Sequence, residues 1–213
     1  MGNRFAEIAF TAGVRAVQEA NGSRASYARM EQGEACNAVL GADEAQFIAE
    51  RDSFYMASVS ETGWPYVQHR GGPPGFIKVL DATTIGFTDF RGNRQYVSVG
   101  NLLKNDRVSL ILVDYPSRAR LKLLGRARIV PPEQVELLAK LATPGYRARV
   151  ERGLLVRVEA FDWNCPQHLT PRFTAAQVEA ATAPLQERIA GLERELAQQR
   201  AQASQAATSS QVL

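Results

Sequence analysis

Alternation of apolar and polar side chains dominates the middle of the chain, and helical spacing dominates its two ends. Runs with a period of two recur at 54–60 (FYMASVS), 64–70 (WPYVQHR), 76–80 (FIKVL), 84–90 (TIGFTDF), 107–115 (RVSLILVDY), 120–130 (RLKLLGRARIV) and 153–163 (GLLVRVEAFDW). A period of two sends successive side chains to opposite faces, so each run predicts a β-strand. Glu61-Thr62-Gly63 and Asp81-Ala82 read as turns that pair their flanking strands antiparallel. Gly71-Gly72-Pro73-Pro74-Gly75 cannot hold regular structure and reads as a loop. The nearly continuous apolar run at 107–115 suits a central strand. Many short strands with short turns predict an antiparallel barrel or sandwich.

Helical patterns fill the rest. Residues 93–105 carry Val97, Leu102 and Leu103, with Gly100 as a weak point. Residues 131–142 open on two prolines and align Val135, Leu138 and Leu141 on one face. Asp43 is placed to cap a short helix bearing Phe47 and Ile48. Thr174 and Gln177 form a capping-box pattern at the start of a tail helix. Past Pro184, Leu185, Ile189, Leu192 and Leu196 follow heptad spacing over less than two heptads. That stripe fits either docking on the chain's own domain or pairing with the same helix of a second subunit. Residues 201–213 are Ala, Gln and Ser with little to bury, and are expected to fray. The predicted division is a helical segment 1–50, a β domain 51–173, and a helical tail 174–213.

Composition narrows the function. About 45% of the 213 residues are apolar, and the formal charge of +3 is too small for a nucleic-acid binder. A local anion site is the expected use of the excess. Two cysteines, Cys36 and Cys165, cannot build a disulfide framework and suit a reducing compartment. No signal-peptide pattern and no long apolar run is present, so a cytoplasmic protein with no membrane contact is expected. Two histidines without supporting Cys/Asp spacing predict no metal site. Nucleophile-elbow, P-loop and dinucleotide-turn motifs are missing.

Four clusters carry candidate chemistry. Thr88-Asp89-Phe90-Arg91-Gly92-Asn93-Arg94-Gln95 runs from a strand end through a glycine turn into a predicted helix. A helix's first turn offers free N–H groups, and arginine forks bind phosphate, so Arg91 and Arg94 are candidate phosphate ligands. The alternative is a surface loop whose arginines pair with Asp89 or Asp106. Gln68-His69-Arg70 closes a strand beside the glycine-rich loop, where polar groups are well placed to touch a ligand. Arg120 and Lys122 share one strand face, either around an anionic ring or in solvent. Trp163 and Gln167 belong to Asp162-Trp163-Asn164-Cys165-Pro166-Gln167-His168, a polar-aromatic segment suited to covering a flat ring. His69 and His168 are the candidates for moving a proton.

Trp64-Pro65-Tyr66-Val67-Gln68, Gly86-Phe87-Thr88-Asp89, Asn93-Arg94, Asn105-Asp106-Arg107-Val108 and Arg120-Leu121-Lys122-Leu123-Leu124-Gly125 follow one another at a spacing that resembles the pyridoxamine 5′-phosphate oxidase-like flavoproteins, over about residues 45–165. The segment 162–168 resembles a hallmark of one branch of that superfamily. The resemblance implies a mainly β protein, an antiparallel six-stranded split barrel with flanking helices. It also implies a homodimer with FMN at the subunit interface. The strand from Val67 through Gln68 and His69 to Arg70 would lie along the flavin, and Thr88 would follow the strand under the ring. Asn93 and Arg94 stand where the family has an Arg-Lys phosphate pair, and Arg120 where a glutamine contacts the pyrimidine edge. Two departures are visible: Gln68 replaces an arginine, and Asn93 removes one positive charge that Arg91 or Arg70 could restore. The oxidase's C-terminal substrate block is missing, which argues against vitamin oxidation. The implied activity is FMN-dependent hydride transfer through flavin N5, between a reduced nicotinamide or small organic substrate and an acceptor. A non-enzymatic flavin or haem carrier on the same barrel is the alternative, and a deazaflavin suits the same groove.

Overall fold

The structure is a computed structural model describing residues 2–33 and 35–210, with backbone alone at 35 and from 204 onward. The described chain forms two compact units, 1–169 and 170–213.

The first unit opens with β1 (Gly2–Asn3), α1 (Arg4–Ala9), α2 (Ala12–Ala20), α3 (Arg24–Ala28) and β2 (Ala35–Cys36). Asn3 and Thr11 cap α1 and α2 through their side-chain oxygens. β1 and β2 make a small parallel pair with no counterpart in the sequence-based reading. Then come α4 (Ala42–Ala49), β3 (Ser53–Val59), β4 (Pro65–Gly71), β5 (Lys78–Asp81), β6 (Thr84–Phe90), α5 (Val97–Leu102), β7 (Arg107–Asp114), β8 (Ala119–Val130), α6 (Val135–Leu141) and β9 (Val150–Asn164). The cap of α4 is Gly41, whose N–H donates to the Glu44 carboxylate at 2.9 Å, so Asp43 lies inside the first turn.

β3 to β9 form one antiparallel sheet in the order β4-β3-β7-β8-β9-β6-β5. All seven runs of alternating residues become strands of this sheet, one more than the six that the family resemblance implied. The alternation decides the faces. Phe54 and Met56, Leu110 and Leu112, Leu121 and Leu123, Leu154 and Val156, and Ile85 and Phe87 all point inward and are fully buried. The sheet curls until its ends approach. Phe54 of β3 meets Phe87 of β6 edge to face at 5.0 Å between centroids, and Arg70 of β4 forms an ion pair with Asp89 of β6. β4 and β6 share no ladder hydrogen bonds, so the barrel is split along this seam. The long strands β8 and β9 bend at a bulge between Leu124 and Gly125, where a Cβ on Gly125 would sit 2.5 Å from the Arg157 carbonyl oxygen.

The second unit is dominated by α7 (Ala175–Ser210). Thr174 and Gln177 cap each other there as the sequence pattern predicts: Gln177 N–H donates to Thr174 Oγ1 at 3.2 Å, and Thr174 N–H to Gln177 Oε1 at 2.9 Å. Pro184 lies inside the helix without ending it. The predicted fraying begins at 201, yet the helix continues to Ser210. Residues 211–213 lie outside the described residues.

Candidate anion-binding site

Along the seam, β4, the end of β6, the segment Gly92–Val99 and Glu151 of β9 enclose a small cleft of about 60 Å³. Gln68, Arg70, Asp89, Asn93, Arg94, Tyr96 and Ser98 are among its walls. Strand alternation explains which residues reach it. Arg70 and Gln68 pair with Phe54 and Met56, both core residues, so they share the inward face. Val67 and His69 pair with Ala57 and Tyr55 and point the other way; His69 rests edge-on against Tyr55 at 5.3 Å. A four-residue stretch of strand cannot present all its side chains to one ligand, so Val67–Arg70 divides into two pairs.

The cleft is an electrostatic network. Asp89, 7% exposed, holds Arg70 in a close pair and Arg152 at 3.4 Å. Glu151 pairs with Arg152 at 3.0 Å and with Arg91 at 3.7 Å, and accepts a hydrogen bond from the Tyr96 hydroxyl at 3.3 Å. Arg94 Nε donates to that same hydroxyl at 3.2 Å. Four guanidinium groups (Arg70, Arg91, Arg94, Arg152) thus face two carboxylates (Asp89, Glu151), an excess of two positive charges. Burial works to raise the Glu151 carboxyl, but hydrogen bonds from Arg152 and Tyr96 and the charges of Arg152 and Arg91 outweigh it, so it stays below the ordinary carboxylate range. The Arg94 guanidinium is held above its ordinary value, chiefly by its bond to Tyr96. Two polar atoms in these walls are buried without a partner, Arg70 Nε and Ser98 Oγ, and Ser98 is only 2% exposed. Such atoms are costly to leave unmade and mark where a ligand oxygen would bond.

The geometry departs from the sequence-based picture in several places. Arg94 precedes α5 rather than entering its first turn. Arg94 (φ 64°) and Tyr96 (φ 55°) are both left-handed, a conformation no α-helix tolerates, so the helix starts at Val97 and has six residues. Asn93 Oδ1 accepts from the Gln95 N–H at 3.2 Å and builds the turn, while the Gln95 side chain is exposed. Arg70 and Arg91 are not bare cations; the chain's own acids partner them. Thr88 lies on the outer face of β6 with Gly86, over which Leu141 of α6 packs, and the buried Thr88 hydroxyl has no partner among the described residues and is not part of the cleft wall.

Arg120 and Lys122 stand on the outer face of β8, apart from the cleft. Arg120 donates through Nη2 to the Cys165 carbonyl and, at 3.3 Å, to that of Gln167, so it ties down the chain after β9. Lys122 pairs with Asp162 at 3.4 Å and lies 5.4 Å from the Phe5 ring. Trp163 packs edge-on to Phe47 at 4.8 Å and donates to Glu44 at 2.8 Å. His168 is exposed in a left-handed turn (φ 60°). Tyr96, Ser98, Glu151 and Arg152 escaped the sequence reading. Ser98 sits within the predicted helix with nothing to single it out, and Glu151 and Arg152 come from 55 residues or more further along the chain than Tyr96. Among the described residues, no group of three or more His, Cys, Asp or Glu side chains could hold a metal, and no helix is long and apolar enough to cross a membrane.

A curled antiparallel sheet split along one seam, with a basic cleft at that seam, defines a split barrel. The family model for pyridoxamine 5′-phosphate oxidase matches residues 41–157, more than half of the chain, and the protein belongs to that family. No curated protein compared with the chain matches it. Solved structures that resemble it include a Clostridium acetobutylicum protein related to general stress protein 26, of the pyridoxinephosphate oxidase family (17% identity, 64% of this chain and 94% of that one, TM-score 0.42). An F420 reductase (22%, 54% and 93%, 0.37) and an FMN-binding protein from Syntrophomonas wolfei subsp. wolfei (10%, 58% and 85%, 0.41) resemble it as well.

Proposed function

We propose that this protein is an FMN-dependent oxidoreductase acting as a homodimer, with the flavin phosphate held in the seam cleft. The observation that carries the reading is the pairing of an excess of two positive charges with two buried, unpartnered polar atoms, Arg70 Nε and Ser98 Oγ. A phosphate dianion matches that charge and offers oxygens to both atoms. Membership of the oxidase family supports the choice of a flavin.

Bound FMN would supply hydride transfer through its N5 atom. The chain's own residues bind and orient. Asp89 and Glu151 fix the directions of Arg70, Arg152 and Arg91, so those arginines lose little freedom on meeting an anion. Arg94 is bonded to a neutral hydroxyl, feels Glu151 only through space, and can turn to the phosphate. A cleft of about 60 Å³ takes a phosphate and no three-ring system, so the isoalloxazine would lie on open surface, where a second subunit would shield it from water. No histidine lines the cleft, and general acid–base roles for His69 and His168 are not part of this reading.

The visible spectrum of the purified protein mixed with FMN tests it. A bound flavin band near about 450 nm that NADH or NADPH bleaches is the expected result. A Soret band would identify a haem carrier instead, and a bound flavin that no reductant bleaches would leave a carrier and remove the enzyme.

A further inference from the structure

The tail helix needs a partner. α7 is 36 residues long, about 54 Å at 1.5 Å per residue, several times the ~11–12 residues of an average helix. A helix in water gains most of its stability by packing an apolar face. Here Leu185, Ile189, Leu192 and Leu196 remain 64%, 56%, 45% and 46% exposed, and Val178 is exposed as well.

The spacing of this stripe identifies what covers it. With Ile189 and Leu196 at heptad position a, the apolar d positions are Val178, Leu185 and Leu192, followed by Gln199. Isoleucine at a with leucine at d is the pattern of parallel two-stranded coils. The flanking charges agree. Position g holds Arg188 and Glu195, and position e holds Glu193 and Arg200. In a parallel pair, each g residue meets the e residue five positions on in the other helix. That pairs Arg188 with Glu193 and Glu195 with Arg200, opposite charges both times. Among the described residues, none of these four side chains makes an ion pair within its own chain. Pro184 and Gly191 both fall at c, away from the seam.

We infer that α7 pairs in parallel and in register with α7 of a second copy of this chain, through Val178, Leu185, Ile189, Leu192 and Leu196. The flavin reading does not depend on it.

The test uses the full chain with Cys36→Ser and Cys165→Ser, because both native thiols are exposed. Leu185→Cys and Leu192→Cys are made separately in this background, with Glu187→Cys, an outward f position, as the control. Under mild oxidation, each d-position cysteine is expected to give at least about tenfold more disulfide-linked dimer than the control, because only facing Cβ atoms meet the geometry of the bond. Arg188→Glu added to Leu192→Cys is expected to lower the yield, and Arg188→Glu with Glu193→Arg to restore it. Equal linking at all three positions, or no linking at either d position, overturns the inference. So does a Leu185→Cys and Leu196→Cys mixture that links only as the mixed dimer, since that outcome means antiparallel helices.

Discussion

The seam cleft and the outer face of the sheet both gather basic side chains, and the two have different surroundings. At the cleft, Arg70 and Arg94 line the recess, and Arg91 and Arg152 join them through Glu151 and Asp89, in a network whose two acids leave two charges unbalanced. On the outer face, Arg120 spends its Nη2 on two carbonyls of its own chain, although its Nε has no partner, and Lys122 is neutralised by Asp162. Clustered basic residues are visible in the sequence in both places. What separates a binding site from a structural clamp is whether the guanidinium ends face an opening or the chain itself.

Substitutions on the two sides sharpen that contrast. The largest effect is expected from Asp89→Ala, which removes a buried carboxylate and leaves Arg70 without its partner and Arg152 with Glu151 alone. A loss of about 3–5 kcal/mol in stability should appear in chemical denaturation. Arg94→Ala should leave stability nearly unchanged and weaken FMN by about 1.5–3 kcal/mol, the worth of a charged hydrogen bond, as measured by fluorescence titration. Lys122→Ala should shift FMN affinity by less than about 0.5 kcal/mol in the same titration, as expected of a surface change away from the site; a larger loss there than for Arg94→Ala would move the phosphate site to the outer face. Ser98→Ala should cost about 1 kcal/mol of FMN affinity and none of the apo stability, since its hydroxyl has no partner to lose.

Acid provides a gentler probe. The folded Glu151 carboxyl titrates below its ordinary value of 4.5, so its contribution to stability is complete above about pH 4.5 and fades as the pH falls through the lower folded value. Glu151→Gln should therefore flatten the acid limb of the melting-temperature profile and leave the profile above pH 6 parallel to the wild type.

Much of the barrel was legible because alternation is a local signal. β6 occupies the predicted 84–90, and the other strands lie within a few residues of their runs. The helix predicted over 93–105 shrank to Val97–Leu102 because left-handed backbone at Arg94 and Tyr96 leaves no apolar or glycine signature. The cleft was half legible. Arg70, Asp89, Asn93 and Arg94 stood out as polar residues at a strand end, whereas Glu151 and Arg152 arrive through β6–β9 pairing, which no local pattern encodes. The division of Val67 and His69 from Gln68 and Arg70 was implicit in the alternation that predicted the strand. A contiguous motif obscured it.

Comparing FMN with riboflavin, which has the same ring and no phosphate, is the most direct test of the cleft's role. With wild-type protein, FMN should bind at least about tenfold more tightly, or 1.4 kcal/mol, and Arg94→Ala should erase most of that difference while leaving riboflavin binding as it was. Equal affinity for the two ligands, or an FMN preference untouched by Arg94→Ala and Ser98→Ala, would contradict a phosphate in the cleft.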